Sequence, residues 1–364
     1  MKIYVIPADA WACGHYRMIW PADTLRRQGY DVTIIPPSDE TGFLVKTEED
    51  DQGNQRLIDV KIPTGADVIV LQRPAHPLQP QLIKMLRDHG VTVVVDMDDD
   101  MSTIHPDNIA FRTYSTRSNT PFNWRNAAES CKLATLVTAS TSALLRTYAR
   151  HGRGVLVDNY LPEATLKYGA PTAVAGGSFG WAGTTQSHPN DLQTTAPSIQ
   201  RLINDGHEFR VVGGPSKVRQ AARLKQDPPC TGTVGLDVWV ETIAKTYDVG
   251  LIPLAPTSFN TAKSRLKGIE HFAAKVPWVA SPRDEYRKLV RESGAGLLAD
   301  TPKEWYSQTK RLLTDDVLYK EQVEAGTAYM QGQTFQANAW RWMEAWARAY
   351  DIQHGTLPSH PSPG

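Results

Sequence analysis

Three cations, Lys263, Arg265 and Lys267, lie within one short span, directly after a loop and directly before an amphipathic run. Upstream, the apolar residues 249–254 are held between Asp248 and Pro256, the pattern of a short strand buried on both faces. Downstream, Leu266, Ile269, Phe272 and Ala273 recur at spacings of three and four, which predicts a helix ending before Pro277. Trp278-Val279-Ala280 then reads as the next strand. The cations crowd a helix start, where backbone N–H groups and the helix dipole already favour anions. Phosphate is the anion these residues suit best, with Lys263 and Lys267 four positions apart on one predicted face. A solvated basic face is the competing reading.

Two further stretches carry chemistry. Asp96-Met97-Asp98-Asp99-Asp100 follows a predicted strand at 91–95, and carboxylates at the C-terminal end of a strand stand where α/β sites open. They suit orienting acceptor hydroxyls or holding a cation, and equally a plain acidic turn or helix cap. Near the N-terminus, Gly14 is followed by His15, Tyr16 and Arg17 at the entry to a predicted helix, well placed to face a ligand. A third feature is electrostatic. Residues 108–154 hold Arg112, Arg117, Arg125, Lys132, Arg146, Arg150 and Arg153 against the single acid Glu129, a local net charge of +6. Phe111, Tyr114, Phe122, Trp124 and Tyr148 are interleaved, so the segment reads either as a polyanion-binding face or as ordinary helix surface over core aromatics.

The elements that must position these residues alternate. Strands are predicted at 2–6, 32–35, 68–71, 91–95, 136–139 and 155–157, with helices at 16–28, 78–89, 124–132 and 142–151 between them. The polar stretch 40–62 reads as a hairpin or surface excursion. Residues 161–177 are rich in Pro, Gly and Ala without periodicity and read as a linker. The alternation restarts with strands at 179–182 and 209–212, a helix at 191–204, then the cationic stretch. Helices at 303–313, 318–332 and 335–350 close the chain, and the proline-bearing end reads as a flexible tail. Two tandem α/β domains of the doubly wound kind account for this order.

Composition agrees with two cores. The 364 residues exceed one ordinary domain, and 41% hydrophobic with 21% charged residues describes a globular protein. Lys plus Arg equals Asp plus Glu at 39 each, so overall charge argues for no polyanionic partner. Cys13, Cys131 and Cys230 are dispersed and form no metal-binding or disulfide pattern, which points to a reducing, cytoplasmic setting. No signal-peptide core and no run long enough to cross a membrane is present.

Against this background the chain resembles the GT-B superfamily of nucleotide-sugar glycosyltransferases, most closely the retaining enzymes of glycosyltransferase family four. The carrying stretches are DVGLIPL…KSRLKGIEHFAAKVPWVAS, FGWAGTTQSHPNDL, and ACGHYRMIWPADTLRRQGYDV, found in the family's order along essentially the whole chain. The resemblance implies an N-terminal Rossmann-like acceptor domain over 1–165 and a C-terminal Rossmann-like nucleotide-sugar domain over 176–334. It further implies a cleft between them, a helix at 335–351 returning to the first domain, and a tail at 352–364. It implies transfer of a sugar from a nucleotide sugar, UDP-linked by expectation, to an acceptor hydroxyl with retention, and no required cofactor or metal. Lys263 and Lys267 take the catalytic role by this resemblance, stabilising the leaving diphosphate with help from amides near Gly14 and Gly183. Gly14, Gly183, Thr184, His188, Ser264, Arg265 and Glu270 bind the donor, Glu270 through the ribose hydroxyls. His15, Tyr16, Arg17, Asp98 and Asp99 meet the acceptor, which is a small molecule, a glycan, or DNA bearing hydroxymethylated bases as for some viral members. The chain departs from the family at Ala262, where a second Glu is usual, and around Thr184 and His188, where an Arg and a Lys are usual. A GT-B sugar-nucleotide epimerase and a non-catalytic nucleotide-sugar binding module are the alternatives.

Overall fold

Every residue of four strands is buried, β1 (Ile3–Ile6) apart from its last residue, and this explains why they read as unbroken apolar runs. The computed structural model describes residues 1–37, 44–114, 123–167 and 177–355. The chain divides into two units, one of residues 1–104, 111–159 and 335–364, the other of 105–110 and 160–334.

In the first unit β1, β2 (Val32–Ile34), β5 (Val68–Gln72), β6 (Thr92–Met97), β7 (Leu136–Ala139) and β8 (Gly154–Leu156) form a parallel sheet in the order β2-β1-β5-β6-β7-β8. The excursion after β2 is a hairpin of β3 (Leu44–Glu49) and β4 (Gln55–Lys61), its turn closed by Asp50 Oδ1 accepting from the backbone N–H of Gln52 and Asn54.

The first helix is not the single element expected over 16–28. It runs as a turn at Ala12–Gly14, a π-helical stretch at His15–Ile19 and an α-helix at Trp20–Arg27. Pro21 is the cause. An α-helix would send the N–H of residue 21 to the Arg17 carbonyl, and proline has none. The indole Nε1–H of Trp342 supplies the missing donor at 2.9 Å. That bond fastens the last helix, Trp340–His354, onto the first unit, with Trp342 and Trp346 fully buried. This helix extends past the boundary expected at 351; the chain beyond 355 lies outside the described residues.

In the second unit β9 (Ser178–Ala182), β10 (Glu208–Val212), β11 (Val249–Ile252), β12 (Trp278–Ala280) and β13 (Leu297–Leu298) form a parallel sheet in the order β10-β9-β11-β12-β13. β11 stops two residues short of the apolar run because Pro253 cannot donate to a ladder. Leu254 and Ala255 instead give their N–H groups to Ser281 Oγ and Asp191 Oδ1, at 2.9 and 2.8 Å. The helix Asp284–Ser293, closed by Gly294 at φ 68°, has no counterpart in the sequence reading. Its run DEYRKLVRES buries only Glu285, Tyr286 and Leu289, too little apolar signal to announce a helix.

Both sheets share one topological property. The second strand of each lies on one side of the first, and the next strand of the sheet lies on the other. Ligands of open α/β sheets bind where the order reverses, beyond the strand C-termini. That point is β1/β5 in the first unit and β9/β11 in the second.

Candidate active site

Beyond the C-terminal end of β9, the Lys267 ammonium donates to the Ala182 carbonyl at 2.9 Å and lies 5.2 Å from the Trp181 ring centroid. This places it at the β9/β11 switch point, in the first turn of the helix Leu266–Ala273. Burial, reinforced by Lys263, lowers its pKa to about 8, while Asp191 and Glu270 oppose the shift. One of its three N–H donors is spent on Ala182; an anion can take the others. Glu270, one turn further along the same helix, is 4% exposed. Lys263 lies outside the helix, so the two lysines do not share a helix face as expected. Its ammonium stands 4.4 Å over the Phe259 ring. The expected second Glu is replaced by buried Ala262, which offers no polar side chain.

Arg265 is corrected. It is 5% exposed and ion-paired with Glu292, so it braces the helix Asp284–Ser293 instead of facing a diphosphate. Ser264 is half-buried in the turn before the helix. Of the amides expected to assist, those of the two glycines themselves are engaged within the fold. Gly183 N–H donates to Val212 O at 2.9 Å and Gly14 N–H to Asp9 Oδ1 at 3.1 Å. What Gly183 provides is room, since a Cβ there would lie 2.9 Å from Lys267 Nζ and 3.0 Å from the Trp181 ring. The Thr184 carbonyl accepts from His188 N at 3.1 Å, closing a turn that presents the histidine.

Asp191 was unremarkable in the sequence and proves central. It is 1% exposed; Oδ1 accepts from Ala255 N at 2.8 Å and Asn260 Nδ2 at 2.7 Å, and Oδ2 meets His188 Nδ1 at 3.1 Å. One carboxylate thus ties the loop after β9 to the loop after β11. Below them Tyr247 and His271 form a buried pair, OH to Nε2 at 3.0 Å, while His271 Nδ1 meets Lys267 O at 2.6 Å. They fit only because two strand residues are glycines. A Cβ at Gly180 would reach to 2.0 Å from the Tyr247 ring, and one at Gly250 to 2.3 Å from His271. Neither Asp191 nor this pair carries a spacing signal, since each is defined by partners distant along the chain.

In the first unit the carboxylate run is divided among tasks. Asp96 is fully buried and takes a bidentate ion pair from Arg17, at 3.0 and 2.7 Å, plus the Thr138 hydroxyl at 2.6 Å. Arg17 also donates to Val157 O and Asn159 Oδ1, at 2.6 and 2.9 Å. At 1% exposure it is an internal strut, which corrects its expected place at the acceptor. Tyr16, 4% exposed and packed edge-on against Trp20, is corrected likewise. His15 is half-buried with Nδ1 at 2.9 Å from Trp11 O. A Cβ on Gly14 would lie 1.8 Å from the Asp9 carbonyl, so glycine there serves the fold of its own loop. Asp100 caps the turn Met101–Thr103 through Ser102 N. Asp98 stands 3.2 Å from Arg73 Nε, and Arg73 also pairs with Asp9, so these three meet at the β1/β5 switch point. Asp99 is half-buried beside them.

The basic segment is partly neutralised. Lys132 pairs with Glu129 at 2.9 Å, and Arg153 donates to the carbonyls of Lys132, Ala134 and Thr135. Arg112, Arg125, Arg146 and Arg150 are exposed; Arg117 and Phe122 lie outside the described residues.

Residues 177–315, the stretch that holds Lys267, Glu270, His188 and Asp191, match the family model described as glycosyl transferases group 1. That likeness falls within the second unit. Solved structures agree on the fold. The chain resembles Anabaena HepE, solved with UDP and glucose, at 12% identity and TM-score 0.61 over 95% of this chain and 99% of that one. A trehalose-6-phosphate synthase studied for glycosyl transfer with retention matches at 10% identity and TM-score 0.61, over 96% and 99%. TarM matches at 12% identity and TM-score 0.56 over 78% of this chain, which spans 54% of TarM's length. The fold is the GT-B fold of two Rossmann-like units. No curated protein matches the sequence.

Proposed function

We propose that the chain transfers a sugar from a UDP-linked donor to an acceptor hydroxyl with retention of configuration. The observation that carries this is the Lys267 ammonium, fixed on the Ala182 carbonyl at the switch point of a group 1 domain, with Glu270 on the same helix. The donor diphosphate lies against Lys267 and Lys263, and Glu270 accepts the ribose hydroxyls. As the anomeric C–O bond breaks, its electron pair passes to a β-phosphate oxygen. Cations already fixed there stabilise the charge as it develops. The acceptor oxygen bonds to the anomeric carbon on the face the leaving group vacates, and its proton passes to the departing phosphate. No metal is invoked. UDP and retention are supported by the ligand of HepE and by the chemistry studied in the trehalose-6-phosphate synthase.

The acceptor is placed in the first unit, at Asp98 and Asp99 near the β1/β5 switch point. Carboxylates there suit a hydroxyl-rich small molecule or glycan better than DNA, whose phosphates they repel. Among the described residues no helix is long and apolar enough to cross a membrane, and the free cysteines fit a reducing, cytoplasmic setting.

Thermal-shift screening of nucleotide sugars tests the donor, since a ligand bound only by the native state raises the melting point. Glu270→Gln should weaken UDP while leaving pyrophosphate affinity unchanged. Incubating the stabilising donor without acceptor separates the alternatives, because an epimerase converts it and a transferase only hydrolyses it slowly. Retention on DNA at low salt would overturn the small-acceptor assignment.

A further inference from the structure

We propose that nucleoside-diphosphate binding by this chain is coupled to uptake of a proton by His188, whose imidazole, oriented by Asp191, becomes a donor to the diphosphate only when the ligand arrives. This rests on the donor reading above and specifies how that site takes its charge.

The geometry fixes which nitrogen does what. Asp191 Oδ1 already accepts from Ala255 N and Asn260 Nδ2, and Oδ2 is left for His188 Nδ1 at 3.1 Å. A buried carboxylate only accepts, so the proton of the neutral ring sits on Nδ1 and Nε2 is an acceptor. Among the described residues Nε2 has no hydrogen-bond partner, and the side chain is 15% exposed. In this state the ring repels a phosphate oxygen. Protonated, it offers Nε2–H to one, while Asp191 stabilises the imidazolium from behind.

The surrounding charges set the switch. Asp191, from the ring's own loop, favours the charged form. Lys267, in the first turn of the helix Leu266–Ala273, and Lys263, from the turn before it, oppose it together with burial, and the free ring is held neutral down to about 4. His105 approaches the same loop by way of Asn190, Nε2 to Nδ2 at 3.2 Å. A diphosphate seated on the two lysines brings two or more negative charges into this field. It cancels the lysines' opposition and leaves Asp191 acting alone in favour of the proton. Binding and protonation at His188 must then strengthen each other by the same amount.

The experiment is calorimetric titration of UDP at pH 7.0 in buffers of differing ionisation enthalpy, which yields protons taken up per ligand bound. The wild type should take up about one proton more than His188→Asn, whose amide still donates to Asp191 and keeps the loop intact. His188→Arg should bind UDP without the linked proton, because its charge is permanent. Protonation of UDP itself contributes equally to every variant, and Lys267 contributes uptake towards pH 8 that persists in His188→Asn. UDP binding with identical proton stoichiometry in wild type and His188→Asn overturns this proposal and leaves the donor reading standing. Failure of the wild type to bind UDP, ADP, GDP or CDP overturns both.

Discussion

Replacing Lys267 by methionine removes one charge and keeps the length of the side chain. Two terms of opposite sign act on stability. The ammonium is depressed from 10.5 to about 8, so burying it costs about 3 kcal/mol at neutral pH, and methionine recovers part of that. Against this, the Ala182 carbonyl loses its hydrogen bond, worth about 1 kcal/mol. The variant should therefore melt no lower than the wild type. Turnover moves the other way. Losing one preorganised stabiliser of a developing anion costs about 100- to 1000-fold in kcat. The assay is release of nucleoside diphosphate from the best-stabilising nucleotide sugar, followed against pH. Because Lys267 must be protonated to serve, kcat/KM should fall about tenfold per unit above pH 8. Lys267→Arg, whatever its absolute rate, should lack that alkaline limb, since guanidinium stays charged. Turnover of Lys267→Met within threefold of wild type, or an unchanged limb in Lys267→Arg, would refute the reasoning.

Arg17→Met leaves Asp96 as an uncompensated charge at 0% exposure and should cost about 3 to 5 kcal/mol, read as a shift in denaturant midpoint. The buried histidines give a pH window. His188 and His271 both have folded pKa values lowered from 6.5 to about 4, so below pH 6.5 the unfolded chain binds protons that the native state refuses. Stability is thus complete above pH 6.5 and falls as the pH drops to 4, by about 3 kcal/mol per histidine. Removing the ionisable group with His271→Gln should shrink the pH slope of the unfolding free energy by about one proton near pH 5. Gly180→Ala drives a methyl into the Tyr247 ring and should destabilise by about 1 to 3 kcal/mol, measured by thermal unfolding; a neutral result would mean that the ring shifts freely.

Strands were legible because parallel strands are covered on both faces and become apolar runs, which holds for β5, β6, β7, β9 and β11 alike. That Lys267 and Glu270 share one helix was legible for a different reason: the helix follows from local spacing, whereas the roles expected of them came from the family resemblance. What stayed hidden depends on contacts across the chain. Arg17 looked like a residue at a helix mouth, but Asp96 is 79 positions away and buried with it. Pro21 was read through as part of one helix over 16–28, and nothing nearby signalled that Trp342 would supply the donor it lacks. Arg265 stood among the phosphate cations until the unforeseen helix Asp284–Ser293 placed Glu292 against it.

The departure from the GT-B pattern around Thr184 and His188 finds an account in Asp191. Two fixed cations after β9 would hold a diphosphate regardless of what the neighbouring loop did. Here that place has Thr184 and His188, and the ring's nearest charged partner is an anion. A site built this way has two permanent charges fewer when empty, which lowers the repulsion that further cations would feel from Lys263 and Lys267 in a poorly solvated setting. The same carboxylate also bonds Ala255 N and Asn260 Nδ2, so the shape of the loop after β11 and the orientation of His188 depend on one buried group. Asp191→Asn should therefore separate from His188→Asn in character. It preserves the shape of the side chain but presents Nδ2–H or a neutral oxygen to the ring and loses the charge that favours imidazolium. UDP affinity should fall in both variants, whereas the loop after β11 should gain amide hydrogen exchange at Ala255 only in Asp191→Asn. Equal exchange in the two would mean that the carboxylate and the histidine act as one unit, and that the loop draws its order from elsewhere.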